Sequence, residues 1–402
     1  MIDAAVVVER AQFYEKEMIR FLRELVAIPS ESCQEGRVIQ HIRQEILKVG
    51  FDDVQIDPMG NILGRIGSGK TILAIDAHVD TVGIGNPEQW RHDPYEGKFE
   101  HGIIYGRGAA DQEGAIPAMV YGAKIIKDLE LEDDYTLYIV GSVQEEDCDG
   151  LCWQYIVNED NIRPECVVIT DSTDCRVLRG HRGRMEIGVT TQGISCHASA
   201  PERGENAIYK MTKIVQEIEQ LNHRLRDHEF LGKGTIAVTY IDCKTASFNA
   251  VPDHCSIHLD RRLTVGDTKE SAVNEVREAI HRAGVDAEIT VPIYNSPSYT
   301  GLVYETEKYF PTWFLARTHP VVQSAVNTYE HLFNEPVDEV GHWTFSTNGV
   351  SLAGMMGIPC VGFGPGKEQH AHSVEDQVAV EQFVKAAAFY AAFPTMYLER
   401  ML

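Results

Sequence analysis

The chain has 402 residues, more than one hydrophobic core usually serves, and its 44% hydrophobic and 24% charged residues are the balance of an ordinary folded soluble protein. Its formal charge of −24, with no block of Lys or Arg, excludes nucleic acid and anionic membrane surfaces as partners, because both need a basic footprint. The first thirty residues lack a signal-peptide pattern, no segment is apolar enough to span a bilayer, and nine scattered cysteines without a C-x-x-C pair read as reduced thiols of a cytoplasmic protein. Cys148 and Cys152, four apart, read as buried or idle thiols before they read as a metal pair.

In chain order, Ile19, Leu22, Leu25 and Val26 recur at helical spacing near the start. "TILAIDA" (71–77), "YTLYIVGSV" (135–143) and "ECVVITD" (165–171) are predicted buried strands, with "GAIPAMVYGAKIIKDL" (114–129) a helix between the first two. That alternation predicts an α/β, doubly wound, mostly parallel sheet. From about Arg184 the pattern changes. "RMEIGVTTQG", "GTIAVTYIDC", "CSIHLDRRL" and "AEITVPIY" read as antiparallel strands, interrupted by two helical segments. This β-α-β-β-α-β order predicts an inserted α+β unit of the ferredoxin-like type. After about Ser296 the first texture returns, with a last helix predicted to start at Ser373 and to be capped with Asp376 three residues on. The domains expected are therefore 1–183 and 297–402, forming one catalytic unit, and 184–296 as the insert.

Polar residues follow the predicted strands. His78 and Asp80 end one strand, Asp111 sits in the glycine-rich "YGRGAADQEG", Glu145 and Glu146 end "YTLYIVGSVQEE", Asp171 follows "VVIT", and His370 and His372 lie in "GPGKEQHAHSVED". Ligands of open α/β sheets gather at the carboxyl ends of strands. Singly, each residue has a bland reading as a turn former, a helix cap or a solvated acid. Gathered in one crevice, these carboxylates would repel unless cations sat among them, and imidazole with carboxylate suits zinc, with manganese or cobalt as alternatives. Five ligands serve two ions if one carboxylate bridges, which leaves one glutamate as a general base. Residue pattern alone does not say which glutamate does which.

The motifs "HVDTV", "W-x-x-D-P", "YGRGAAD", "QEED", "CHASAPERGENAI", "NAVPDHCSIHLDRR" and "GFGPG…AHSVED" stand in an order that resembles the cocatalytic dizinc amidohydrolases and peptidases, the family of acetylornithine deacetylase, succinyl-diaminopimelate desuccinylase, aminoacylase and glutamate carboxypeptidase. The resemblance runs from about Phe21 to the last helix and is nearest the selenium-metabolism-linked hydrolase branch. It implies that His78 and Asp171 hold one ion, Glu146 and His372 the other, and that Asp111 bridges both. His370 is the rival of His372. Asp80 is then the partner that fixes the His78 imidazole, Glu145 the general base, and His197 an oxyanion stabiliser reaching into a partner subunit. Asn249 and Arg262 match substrate-binding positions, with Arg261 the alternative to Arg262. Two departures, Glu113 in "DQEG" and Asn348 in "STNGVSL", bear on the substrate.

The expected function is a zinc-dependent dimetal hydrolase of an amide-type C–N bond, acting on an N-acyl amino acid or small peptide that carries a carboxylate. A ureido (N-carbamoyl) amino acid is the alternative substrate. The insert is expected to act as a lid and to form a homodimer. A nucleotide-dependent oxidoreductase is disfavoured, since "GRGAADQEG" lacks the G-x-G-x-x-G spacing. A noncatalytic metal-binding protein on the same fold is the remaining alternative.

Overall fold

A computed structural model describes residues 2–401 of the protein. The chain opens with α1 (Ala4–Phe13), α2 (Glu15–Val26) and α3 (Gly36–Val49), then β1 (Asp53–Ile56), β2 (Ile62–Ile66) and β3 (Thr71–His78). β4 (Lys98–Glu100) and β5 (Ile103–Tyr105) lead to α4 (Ala115–Asp128), β6 (Tyr135–Ser142), α5 (Leu151–Asn158), β7 (Cys166–Ile169) and β8 (Leu178–His181). The second unit follows as β9 (Gly183–Gln192), α6 (Ala207–Arg224), β10 (Thr235–Lys244), β11 (His254–Leu263), α7 (Lys269–Ala283) and β12 (Glu288–Thr290). Short strands β13 (Ile293–Tyr294), β14 (Thr306–Glu307), β15 (Tyr309–Phe310) and β16 (Trp313–Phe314) precede α8 (Pro320–Phe333). The chain ends with β17 (Gly341–Trp343), β18 (Cys360–Gly362), β19 (Gln377–Ala379) and α9 (Val380–Met401).

The large sheet has the order β1-β2-β6-β3-β7-β18-β8-β16, with β17 also paired to β8. Its centre, β6-β3-β7-β18, is parallel, while β1, β2, β8 and β16 join antiparallel at the margins. Helices cover both faces, so the central strands read as continuous apolar runs; all four residues of β7 are buried. One face packs under α1, α2, α4, α8 and α9, where Phe21, Leu25, Met119, Phe383 and Phe389 join one core. The other packs under α5, where Trp153, Ile156, Trp313 and Trp343 form a smaller one. On α2 the predicted stripe is buried at Leu22, Leu25 and Val26, with Ile19 half-buried.

The second unit has the β-α-β-β-α-β order expected, in a sheet ordered β10-β11-β9-β12. β11 alternates buried and half-buried residues along its whole length. Met185, Ile187, Ile257 and Leu259 face Ile214, Ile218, Val276 and Ile280 of α6 and α7 in a core of their own. Asn206 caps α6 and a Thr268–Ser271 capping box starts α7. β15, although it lies beyond Ser296, pairs back onto β9. The predicted start of the last helix is overturned: Ser373–Asp376 is a turn, Gln377–Ala379 is a strand paired with β5, and the helix begins at Val380. The Asp376 carboxylate accepts hydrogen bonds from the Gly108 and Ala110 amides, at 2.8 and 2.7 Å, and so is not free to cap a helix.

His181 sits fully buried where β8, β16 and β17 meet. Its Nδ1 lies 2.8 Å from the Arg182 carbonyl, so that nitrogen donates, and its Nε2 accepts from the Trp313 indole at 2.8 Å and the Thr347 amide at 3.1 Å. Burial pulls the ring down to about 4, since a proton on Nε2 would face two donors. An unfolded chain takes up that proton near 6.5 and the folded chain near 4, so the unfolded state binds more protons between these values. Stability is expected to fall by roughly 3 kcal/mol as pH drops through this window. Chemical denaturation of wild type and His181→Gln at pH 7 and pH 4.5 checks it; the variant should show the shallower decline.

Candidate metal centre

Four neighbouring strands of the large sheet deliver the polar residues to one place. β6, β3, β7 and β18 are adjacent, and the chain crosses from β3 to β6 on one side and onward to β7 on the other. The carboxyl ends of these strands surround the crevice that such a reversal of direction opens. His78 is the last residue of β3, Glu145 and Glu146 follow β6, Asp171 follows β7, and His372 lies beyond β18. Asp111 comes from the loop before α4.

These six residues line one cavity of about 320 Å³. Asp111 sits at its centre: Oδ1 is 3.3 Å from His78 Nε2 and Oδ2 is 3.2 Å from His372 Nε2. His372 Nε2 is also 2.9 Å from Glu146 Oε2, and His78 Nε2 is 3.7 Å from Asp171 Oδ1 and 3.9 Å from Glu145 Oε2. One ligand atom each from His78, Asp111 and Glu146 falls within 4.8 Å of the others. Glu145 Oε1 and Asp171 Oδ2 are buried with no hydrogen-bond partner. Among the described residues, none of the four carboxylates pairs with a Lys or Arg.

The titration of the site follows from this imbalance. Burial alone would push His78 down, but Glu145, Asp111 and Asp171 hold it well above its ordinary range. Hydrogen bonds to Asp111 and Glu146 raise His372 to about 10. Burial raises Glu145 well above the usual carboxylate value and Glu146 to about 7. Asp111 is buried as well, yet its bonds to both imidazoles hold it below the normal range. The four carboxylates, three of them buried and Glu146 half-buried, thus draw positive charge toward the two histidines. The donor set, two imidazole nitrogens with carboxylate oxygens, two of them orphaned, fits a pair of divalent cations.

Supporting residues hold these side chains from beneath. Asp80 is fully buried; its carboxylate accepts from the amides of Glu145 and Glu146 at 3.1 and 3.0 Å and from Ser32 Oγ at 2.7 Å. The expected contact with His78 is made differently, because Nδ1 lies 2.8 Å from the Asp80 carbonyl and 3.7 Å from its carboxylate. Gln144 and His372, on either side of the crevice, have φ of 58° and 55°. Such left-handed backbone in side-chain-bearing residues is strained and is held here by its surroundings. Asn348 does not reach the cavity: it donates to Asp76 Oδ2 (2.8 Å) and accepts from Gly150 N (2.8 Å), pinning the loop that carries Glu145. Glu113 is likewise buried below the cavity, beside Ser30. The two departures expected to bear on the substrate therefore lie in the support of the site.

His370 faces away, against Gln369 and Gln377. Arg262 lines the cavity, forked onto Asp260, whereas Arg261 is fully buried on the other face against Asp267 and Glu275. His197 and Asn249 are not part of this cavity. They are exposed at one end of the second unit, where the Ala198 amide donates to the Asn249 carbonyl at 2.8 Å. Asp149 and Arg184, not singled out in the sequence, also line the cavity. Arg184 stands directly opposite Arg262 on β9 and β11, a pairing that only strand register reveals.

Asp80→Ala leaves the two glutamate amides buried without an acceptor, at a cost of about 2–4 kcal/mol. Urea denaturation should register that loss, and a change under 1 kcal/mol would show that the carboxylate is not the support described.

Residues 179–288 match the family model described as a peptidase dimerisation domain. Over 398 residues the chain is 55% identical to the uncharacterized protein YgeY of Escherichia coli (strain K12), covering 99% of this chain and 98% of that one. It is 23% identical to a probable succinyl-diaminopimelate desuccinylase of Staphylococcus epidermidis, covering 96% and 99%. Among solved structures it is similar to the Bacillus subtilis YXEP protein, described as a dinuclear metal-binding peptidase of the M20 family, with a TM-score of 0.72, 12% identity and coverage of 96% and 99%. The chain belongs to the M20 peptidase family, hydrolases of amide-type C–N bonds, as a relative of YgeY.

Proposed function

We propose that the cavity cleaves an amide-type C–N bond in a small, carboxylate-bearing substrate, with two divalent ions as cofactors. The observation that carries this reading is the central Asp111, whose two oxygens face two different histidines beside an unpartnered oxygen of Glu145. His78 and Asp171 would hold one ion, Glu146 and His372 the other, with Asp111 between them. Zinc suits this mixture of nitrogen and oxygen donors. Bound ions supply the Lewis acidity that brings a water toward ionisation near neutral pH and polarises a carbonyl.

The chain's own groups do the rest. Glu145, which lines the cavity with one carboxylate oxygen unpartnered, takes the proton of the attacking water and passes it to the departing nitrogen. Asp80 keeps Glu145 and Glu146 aimed by holding their amides. Arg262, on the wall formed by the second unit, offers a guanidinium to the substrate carboxylate. The second unit serves as the dimerisation domain. His197 and Asn249, exposed and outside their own chain's cavity, are then offered to the cavity of a second copy, where His197 stabilises the oxyanion. All nine cysteines are free thiols, in keeping with a cytoplasmic protein, and the match of residues 179–288 to a peptidase dimerisation domain supports a homodimer.

Glu145→Gln should retain both equivalents of metal, measured by elemental analysis, and lose turnover by roughly 10²–10⁴-fold on any amide that the wild type cleaves. Unchanged turnover would remove Glu145 from the role of base. Asp111→Ala should lower the metal content from two equivalents to one or fewer, because both ions lose a ligand; an unaltered content would rule out a bridging carboxylate.

A further inference from the structure

The cavity has a wall that none of the roles above uses. Asp149 stands four residues beyond Glu145 in the same loop, 5% exposed, and its Oδ1 accepts from Arg184 Nη2 at 3.0 Å. Its Oδ2 is buried with no partner, and so is Nε of Arg184. Both residues line the cavity. The Arg184 guanidinium lies over the Phe310 ring at 4.8 Å, which fixes its position. Arg184 is the cross-strand neighbour of Arg262, so two guanidiniums stand side by side, one tied to Asp149 and the other to Asp260.

A buried carboxylate oxygen without a donor is costly, and its most direct use in a cavity wall is to accept from a ligand. We propose that Asp149 and Arg184 select the substrate. Asp149 Oδ2 accepts an N–H that the substrate carries in addition to its scissile amide, while Arg184 joins Arg262 in receiving its carboxylate. The class of substrate is then an N-substituted amino acid whose acyl part ends in nitrogen, as an ammonium or an NH2 group, in preference to a plain alkyl acyl group. This rests on the reading of the cavity as an amide-cleaving dimetal site. A site that pairs with a substrate N–H discriminates against analogues lacking it, because its own polar atom is left buried and unpaired.

The test uses the full-length, zinc-loaded protein and three substrates sharing one amino acid half: N-acetyl, N-glycyl and N-carbamoyl. Wild type should favour at least one of the two nitrogen-bearing compounds over the acetyl compound by tenfold or more in kcat/KM. Asp149→Asn turns the accepting oxygen into a donor or a weaker acceptor. It should lower kcat/KM for the favoured compound by roughly tenfold to a hundredfold. Because Asp149 also holds Arg184, which meets the carboxylate of all three compounds, the acetyl compound should slow too, but at least threefold less than the favoured one, and Asp149→Glu should restore part of the loss. A structural tie between the units would slow all three equally. That result, or a wild type that prefers the acetyl compound, overturns the role of Asp149. If Asp149→Asn fails to fold, a wild type that prefers the acetyl compound still overturns the proposal, and Asp149→Glu carries the comparison between substrates. A protein that holds two equivalents of zinc and cleaves none of the three overturns instead the reading on which this one rests.

Discussion

Four carboxylates crowd into one buried crevice with only two imidazoles between them, and the architecture around them answers that electrostatic burden. In isolation the arrangement would be untenable, since each uncompensated buried charge costs several kcal/mol. The burden shows in the two imidazoles, whose proton affinity the surrounding acids raise, and in the orphaned oxygens of Glu145 and Asp171. A fold tolerates such a cost where an exogenous cation removes it, and the surrounding polar pins show how firmly the unfavourable geometry is maintained.

Those pins form a second tier below the crevice. Asp80 grips the two glutamate amides, Asn348 and Asp76 hold the end of the same loop at Gly150, and Asp376 grips the glycine-rich loop that delivers Asp111. Asp80, Asn348 and Asp376 direct acceptors at backbone N–H groups, while Asp76 accepts from the Asn348 amide, so the side chains above are aimed by the main chain and not by one another. The sheet supplies the coarse placement, by bringing four strand ends together. The pins supply the fine one.

Most residues that meet in the crevice were legible in the sequence because His78, Glu145, Glu146 and Asp171 follow short apolar runs, and strand ends are where open α/β sheets present their side chains. Asp111 and His372 were legible from their glycine-rich and histidine-bearing loops. The inserted unit was legible for a similar reason: strict alternation along "MEIGV" and "CSIHLDRRL" differs from the continuous apolar runs of a sheet covered on both faces. Asp376 was misread because a Ser and an acid three residues apart satisfy a local capping pattern, whereas its amide partners at Gly108 and Ala110 lie more than 260 positions away. Arg184 escaped notice because its significance comes from standing opposite Arg262, and cross-strand register is not a local property. Asn348 and Glu113 were legible as departures, yet only the tertiary fold shows that they lie under the site and not in it.

The interval between His78 and His372 also shapes how the molecule comes into being. During synthesis the acids of β3, β6 and β7 emerge long before the segment bearing His372, and between them the ribosome delivers a complete unit with a core of its own. That unit can condense while its host is still unfinished, since domains generally fold as units during translation. The crevice cannot close until the final quarter of the polypeptide is released, so the charge-laden centre is the last part of the catalytic body to be born.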